Sequence, residues 1–278
     1  MSLNFTYQCV NCQKEIETSE LIYLCPDCSA DNTPNLPPKG VLKVIYDYKT
    51  IVKDFGGGDF FYDLKNLGYL DILPIKSADN LPGLKIGNTP IYEMDRFDDE
   101  PLNGYLYLKD DSQNPTFSFK DRASAIVSAF AKENGIQTII TASTGNAGCS
   151  MAGICAAQGQ NSVIIVPAKA PREKIAQIMM YGAHLIPVKG NYDDAFELSI
   201  QLSKETGYYN RNTAYNPLTI EGKKTVAFEI YDQLDGFIPD NIFVPVGDGV
   251  IISGMYKGFE DLMMLGLIKK MPTIIAVQ

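Results

Sequence analysis

The sequence predicts an α/β protein with mostly parallel sheets. From about Leu106 onward, short runs rich in Ile and Val alternate with helix-length segments, which is the pattern of βα units. Several of the junctions carry Gly, Ser, Thr or Asn where a strand end meets a helix start, which is where ligands bind in such folds. The 278 residues, 45% hydrophobic and 21% charged, suffice for two small domains with ordinary cores.

In chain order, the first forty residues stand apart. Cys9-x-x-Cys12 and Cys25-x-x-Cys28 are separated by twelve residues, which is zinc-ribbon spacing. Each C-x-x-C turn offers two thiolates to one side of a tetrahedral ion. Two disulfides or four separate thiols are the competing readings, and a cytoplasmic chain disfavours the disulfides. The loop carries Glu15, Glu17, Glu20, Asp27 and Asp31 against Lys14, so a structural knob is expected rather than a nucleic-acid reader. Pro34–Gly40 reads as a linker. Beyond it, strands are expected at Leu106–Asp110, Thr138–Ala142, Ser162–Val166, His184–Val188, Asn241–Val246 and Thr273–Val277. Helices are expected near Arg122–Asn134, Ala147–Gln158, Arg172–Tyr181, Tyr192–Thr206, Thr219–Leu234 and Ser253–Leu267.

A net charge of −9 argues against a nucleic-acid partner. No apolar run reaches membrane-spanning length, and no secretory signal opens the chain, so a cytoplasmic location is expected. Cys149 and Cys155 lie in an Ala- and Gly-rich helical stretch and read as small core residues. The only histidine, His184, is expected to pack in the core, which disfavours a triad hydrolase.

Three junctions carry chemistry. The first is Asp110-Asp111-Ser112-Gln113-Asn114-Pro115-Thr116-Phe117-Ser118-Phe119-Lys120-Asp121-Arg122-Ala123. A lysine at a helix entrance can be held at a pocket edge, where desolvation favours the neutral amine and Schiff-base chemistry. A lone lysine there would be a surface residue. The second is Ser143-Thr144-Gly145-Asn146, which can cap a helix or grip a carboxylate. The third is Gly247-Asp248-Gly249-Val250-Ile251, where glycines admit an anion to backbone N–H groups. A dinucleotide turn competes at the third junction, but Ile252 stands where its last glycine belongs.

Taken in this order, with Gly87-Asn88-Thr89-Pro90 and Asn216-Pro217-Leu218-Thr219-Ile220-Glu221-Gly222-Lys223-Lys224-Thr225, the chain resembles the fold-type II pyridoxal-phosphate enzymes of the tryptophan synthase beta-like superfamily. Within them it is similar to threonine synthases, many of which carry an N-terminal zinc ribbon. The resemblance implies two three-layer αβα domains. Residues 1–40 would be ribbon and linker, and 41–122 the first part of the large cofactor domain. Residues 123–225 would be the small domain, and 226–278 the second part of the large domain with its C-terminal portion absent. It also implies pyridoxal 5'-phosphate held by Lys120 as an internal aldimine, and a structural zinc on Cys9, Cys12, Cys25 and Cys28. Ser143, Thr144, Gly145 and Asn146 would bind the substrate carboxylate, with Asn146 also touching the cofactor's ring oxygen. Gly247, Asp248, Gly249, Val250 and Ile251 would cradle the cofactor's phosphate, with Asp248 turned away.

The implied activity is a carbon–oxygen lyase acting on phosphates, turning O-phosphohomoserine and water into threonine and phosphate. A β-eliminating or β-replacing enzyme acting on serine, threonine or phosphoserine is the alternative, and a non-catalytic zinc-ribbon scaffold is the reading from another class. Thr219 departs from the family, where many members have a basic residue. Lys223 or Lys224 could substitute for it toward a substrate phosphate, but both read as surface lysines. No residue answers to the hydroxyl that would face the cofactor's ring nitrogen. The expected partner is a small amino-acid substrate, not nucleic acid or a membrane, and a homo-oligomer is compatible.

Overall fold

The computed structural model describes residues 4–18, 20–33, 36, 38–55 and 60–278. The N-terminal module is a three-stranded antiparallel sheet in the order β2 (Glu15–Ile16), β1 (Thr6–Cys9), β3 (Leu42–Ile45). Tyr7 and Cys9 of β1 and Leu42 and Val44 of β3 are buried, the period of two expected where one face is covered. The module's third strand therefore lies past residue 40. The linker expected over Pro34–Gly40 falls partly outside the described residues. A single helical turn, α1 (Pro26–Ser29), carries Cys28.

Two short helices, α2 (Tyr48–Phe55) and α3 (Phe60–Asn66), lead to an antiparallel hairpin of β4 (Ile91–Phe97) and β5 (Glu100–Lys109). The sequence predicts only its last stretch, as Leu106–Asp110. The hairpin is closed by Asp98 and Asp99, with φ of 52° and 63°. Positive φ at both central residues matches the sense of strand twist. Two aspartates are an unusual choice there, so the turn escapes a search for Asn-Gly.

The βα units then follow the expected order. They are α4 (Lys120–Glu133), β6 (Thr138–Ala142), α5 (Asn146–Gln158), β7 (Asn161–Pro167), α6 (Arg172–Met180), β8 (His184–Val188) and α7 (Tyr192–Thr206). A two-residue strand, β9 (Tyr209–Asn210), completes a parallel sheet in the order β8-β7-β6-β9. Ile139, Ile164 and Val166 face one core with Met151 and Ile154 of α5. Ile140, Val163 and Ile165 face another with Ala195 of α7. Alternate residues of the central strands thus serve opposite covered faces, which is a three-layer αβα arrangement. His184 is exposed at the start of β8, contrary to the core role expected of it. An edge-strand terminus leaves it no neighbour to pack under.

The helix expected over Thr219–Leu234 is two helices, α8 (Leu218–Lys223) and α9 (Thr225–Gln233). They are joined at Lys224, where Ala227 N–H reaches back to the Lys224 carbonyl in a tightened turn. Then β10 (Asn241–Pro245), α10 (Val250–Met264) and β11 (Thr273–Val277) form a parallel βαβ unit. Phe61, Leu64 and Ile72 share one core with Val226, Phe228, Met255 and Phe259. Among the described residues no helix is long and apolar enough to cross a membrane.

Candidate active site

Lys120 is held by its neighbours on both sides. Thr116 donates from its backbone N–H (2.7 Å) and its hydroxyl to the carboxylate of fully buried Asp121, so the residue after the lysine ties down the loop before it. Arg122 donates to Asp111 through Nε at 2.6 Å and pairs with Glu229 of α9. Asn114 accepts from Gly87 N–H at 2.9 Å. The N-P-T-x-S-F-K-D-R string therefore fixes the first turn of α4 to the preceding loop, to the Gly87 turn and to α9. Phe117, with φ +59° and 76% exposed, is pushed outward by this loop over the cavity it lines. A bulky side chain in that backbone region is a strained arrangement of the kind that clusters at functional sites.

The Lys120 side chain lines a cavity of about 560 Å³ together with Ser118, Asn146, Gly247, Ile251 and Phe117. Cavities of roughly 300–1,000 Å³ hold small ligands. Burial lowers the Lys120 pKa from its ordinary value, with the Arg211 cation adding to the effect and the Asp248 carboxylate opposing it. The lysine segment, Asn146 and the Gly247–Ile251 turn, far apart in sequence, are thus brought to one cavity.

Gly249 caps α10 with φ +77°, and a Cβ at Gly247 or Gly249 would meet nothing within 4 Å. The first N–H groups of the helix are therefore open to an anion, except that Val250 N–H donates to Asp248 Oδ1 at 3.1 Å. Asp248 does not turn away as expected. Its carboxylate accepts from Val250 N–H at the start of α10, and its charge reaches Lys120, Arg211 and Lys223.

At the other junction, the Ser143 hydroxyl accepts from Gly145 N–H at 3.2 Å and is closed onto its own turn. Thr144 is exposed, and Gly145 precedes the first residue of α5, Asn146. Asn146 lines the cavity, while its Oδ1 accepts from Lys174 Nζ of α6 at 2.7 Å.

Lys223 and Lys224 are not surface residues, since both are fully buried. Lys224 pairs with Glu221 and, at 2.7 Å, with Asp261 of α10, in a network that Tyr46 and Tyr48 join through their hydroxyls. Lys223 Nζ has no hydrogen-bond partner among the described residues. Arg211, just after β9, is also fully buried and went unnoticed in the sequence.

In the N-terminal module the sulfur atoms of Cys9, Cys12, Cys25 and Cys28 all lie within 4.8 Å of one another. Four thiolates at about 2.3 Å from one zinc would be separated by about 3.8 Å, and Cys12 and Cys25 are 3.9 Å apart. The cluster is compatible with a structural zinc. The module is docked through Tyr23, which stacks on Tyr215 at 4.7 Å and accepts from Asn210 N–H, and through Tyr46, which donates to Glu221 of α8.

A family model described as "Pyridoxal-phosphate dependent enzyme" matches residues 83–278. The threonine synthase of Methanocaldococcus jannaschii is 38% identical over 275 residues, 98% of this chain and 64% of that protein. That of Methanosarcina acetivorans is 35% identical over 277 residues, with the same 98% and 64%. The chain therefore spans about 64% of the length of these curated relatives. Among solved structures, a pyridoxal 5'-phosphate-dependent aspartate racemase superposes with a TM-score of 0.60 at 23% identity, over 82% of this chain and 62% of that one. The processed form of threonine deaminase isoform 2 from Solanum lycopersicum gives 0.52 at 27% identity, over 61% and 45%. The cavity fits an aldehyde-bearing phosphate ester: a half-buried amine stands on the same wall as a glycine turn at a helix N-terminus.

Proposed function

The chain belongs to the pyridoxal-phosphate dependent enzymes, and on that premise we propose that it carries threonine synthase-like chemistry, the conversion of O-phosphohomoserine and water to threonine and phosphate. The observation that carries the reading is the cavity shared by Lys120 and the Gly247–Ile251 turn. The similarity to threonine synthases over 98% of the chain supports the choice of reaction. The common core of residues 61–72 with 226–268 supports our reading of 41–122 and 226–278 as two parts of one domain around 123–225.

In this account Lys120 both anchors the cofactor and moves protons. With its pKa lowered by burial, a larger share of its amine is neutral and able to take a proton from the substrate's α-carbon and return one. The N–H groups at the start of α10 take the cofactor's phosphate, helped by the helix dipole, which requires Val250 N–H to leave its bond to Asp248 Oδ1. The Ser143–Asn146 turn receives the substrate's carboxylate, which requires the Ser143 hydroxyl to leave its internal bond to Gly145 N–H. Asn146, its Oδ1 held by Lys174, keeps its amide N–H groups to donate to the cofactor's ring oxygen. Phe117 shields the mouth from water. The cofactor, when bound, supplies the electron sink for charge developing at the α-carbon.

The second reading is β-elimination on serine, threonine or phosphoserine. One observation favours it: Thr219 is fully buried and its hydroxyl donates to Asn216 O just before α8 (2.9 Å), so it offers a substrate phosphate nothing. The test is phosphate release from O-phosphohomoserine by the natural gene product supplied with cofactor. Threonine and phosphate formed in equal amounts support the first reading. Ammonia released from serine or threonine, with O-phosphohomoserine untouched, would replace it with the second. An intact protein that takes up no cofactor would leave only the scaffold role.

A further inference from the structure

Helix α8 is wedged between the starts of two other helices. A Cβ at Gly222 would collide with the Arg122 carbonyl, so α8 crosses the first turn of α4 backbone to backbone. A Cβ at Gly254 would stand 2.6 Å from the Lys223 Cβ, so the first turns of α10 press on α8 from the other side. Lys223 is thereby fixed between the helix that begins with Lys120 and the helix that begins after the glycine turn. Four residues before it, one turn back, lies Thr219, whose hydroxyl is already engaged.

Lys223 is fully buried, and its Nζ has no partner among the described residues. Arg211 is fully buried too. Its terminal nitrogens reach the Thr213 hydroxyl at 2.7 Å and the Ser124 hydroxyl at 3.4 Å, while its Nε has no partner among the described residues. Among the described residues no carboxylate pairs directly with either. Both feel the Asp248 charge, but that carboxylate is exposed and turned onto Val250 N–H. Burial, with the Arg211 and Lys120 cations close by, holds the Lys223 pKa well below its ordinary value. Two buried basic side chains with no paired carboxylate, one of them with no acceptor at all, are expensive, and a doubly charged anion would satisfy both. Neither side chain lines the Lys120 cavity as it stands, so the seat requires the flexible Lys223 stem to turn its ammonium toward that side.

We propose that Lys223 and Arg211 form a side-chain phosphate seat, a second one beside the glycine turn, that takes a phosphomonoester dianion. The proposal rests on the reading of this cavity as a cofactor site. Two phosphates are available to it, one on the cofactor and one on a phosphorylated amino-acid substrate, and their chemistry is the same.

The test is calorimetric titration of the full chain, without added cofactor, with inorganic phosphate. Lys223→Met keeps the length of the side chain and removes its charge, and Lys223→Arg restores a cation. Loss of a charge-assisted contact should weaken phosphate binding about tenfold or more in the Met variant, with most of it regained in the Arg variant. Circular dichroism checks that each variant is folded, and Lys223→Gln replaces the Met variant if that one is not. Two ratios then separate the sources. If the preference for pyridoxal 5'-phosphate over pyridoxal collapses, the seat serves the cofactor. If the preference for O-phosphohomoserine over homoserine collapses, it serves the substrate. A folded, uncharged variant that binds phosphate as the wild type does, or a wild type that binds none, overturns the proposal. Cofactor attachment to Lys120 is measured separately, so either idea can fail alone.

Discussion

Asp121 and Arg122 decide where Lys120 stands. Asp121 closes the preceding loop through Thr116, and Arg122 joins Asp111 to Glu229. The Arg122 side chain is 1% exposed, so Arg122→Ala leaves Asp111 without its cation and Glu229 with Lys109 alone, and should cost about 3–5 kcal/mol in urea denaturation. Glu229 gives a pH counterpart. Burial alone would raise its pKa, but Arg122 and Lys109 pull it from 4.5 down to about 2. A depressed carboxylate stabilises the fold above its unfolded pKa, and that share disappears as pH falls from 4.5 to about 2. Glu229→Gln should flatten this part of the stability profile, and an unchanged acid limb in the variant would contradict the pairing. Asn146 and Gly249 should separate in their effects. Asn146→Ala is expected to shift the bound cofactor's absorption with little loss of retention. A bulky residue at Gly249, where φ is +77°, should speed its release on dialysis. The lysine segment was legible in the sequence because its residues act within a few positions of one another. Arg211 and Lys223 were not, because their burial arises from helices distant in sequence closing over them.

Among the elements, the βα units were legible and the surroundings less so. Strands β6 and β8 and helix α7 fall on their expected bounds, since Ile- and Val-rich runs between turn residues have one reading. The hairpin was half seen because Asp98-Asp99 lacks the usual turn signature. The two halves of the Thr219–Leu234 segment were merged because nothing in its composition marks Lys224 as a joint. The cysteine cluster was legible from spacing alone, but its docking was not. Tyr23 and Tyr46 attach the module to the segment leading into α8 and to α8 itself. Cys9→Ser should therefore lose one equivalent of zinc by metal analysis and lower the melting temperature, while the far-ultraviolet spectrum of the βα core persists. Retention of metal by that variant would remove Cys9 from the ligand set.

At the scale of the molecule, two cores meet at one cavity. The parallel sheet contributes Asn146 at the end of β6, and the βαβ unit of β10, α10 and β11 contributes the Gly247–Ile251 turn. Helix α4 carries Lys120 to the seam between them, with α8 packed against it. That arrangement is the central claim, because the amine, the anion-binding turn and the Asn146 turn are useful only if they share a space. Borohydride reduction of the protein incubated with pyridoxal 5'-phosphate, followed by peptide mapping, tests it most directly. The cofactor should be fixed to Lys120 in near-stoichiometric amount, and Lys120→Ala should remain folded and retain none covalently. Label found on Lys223 or on a surface lysine instead, with Lys120 unmodified, would contradict the account.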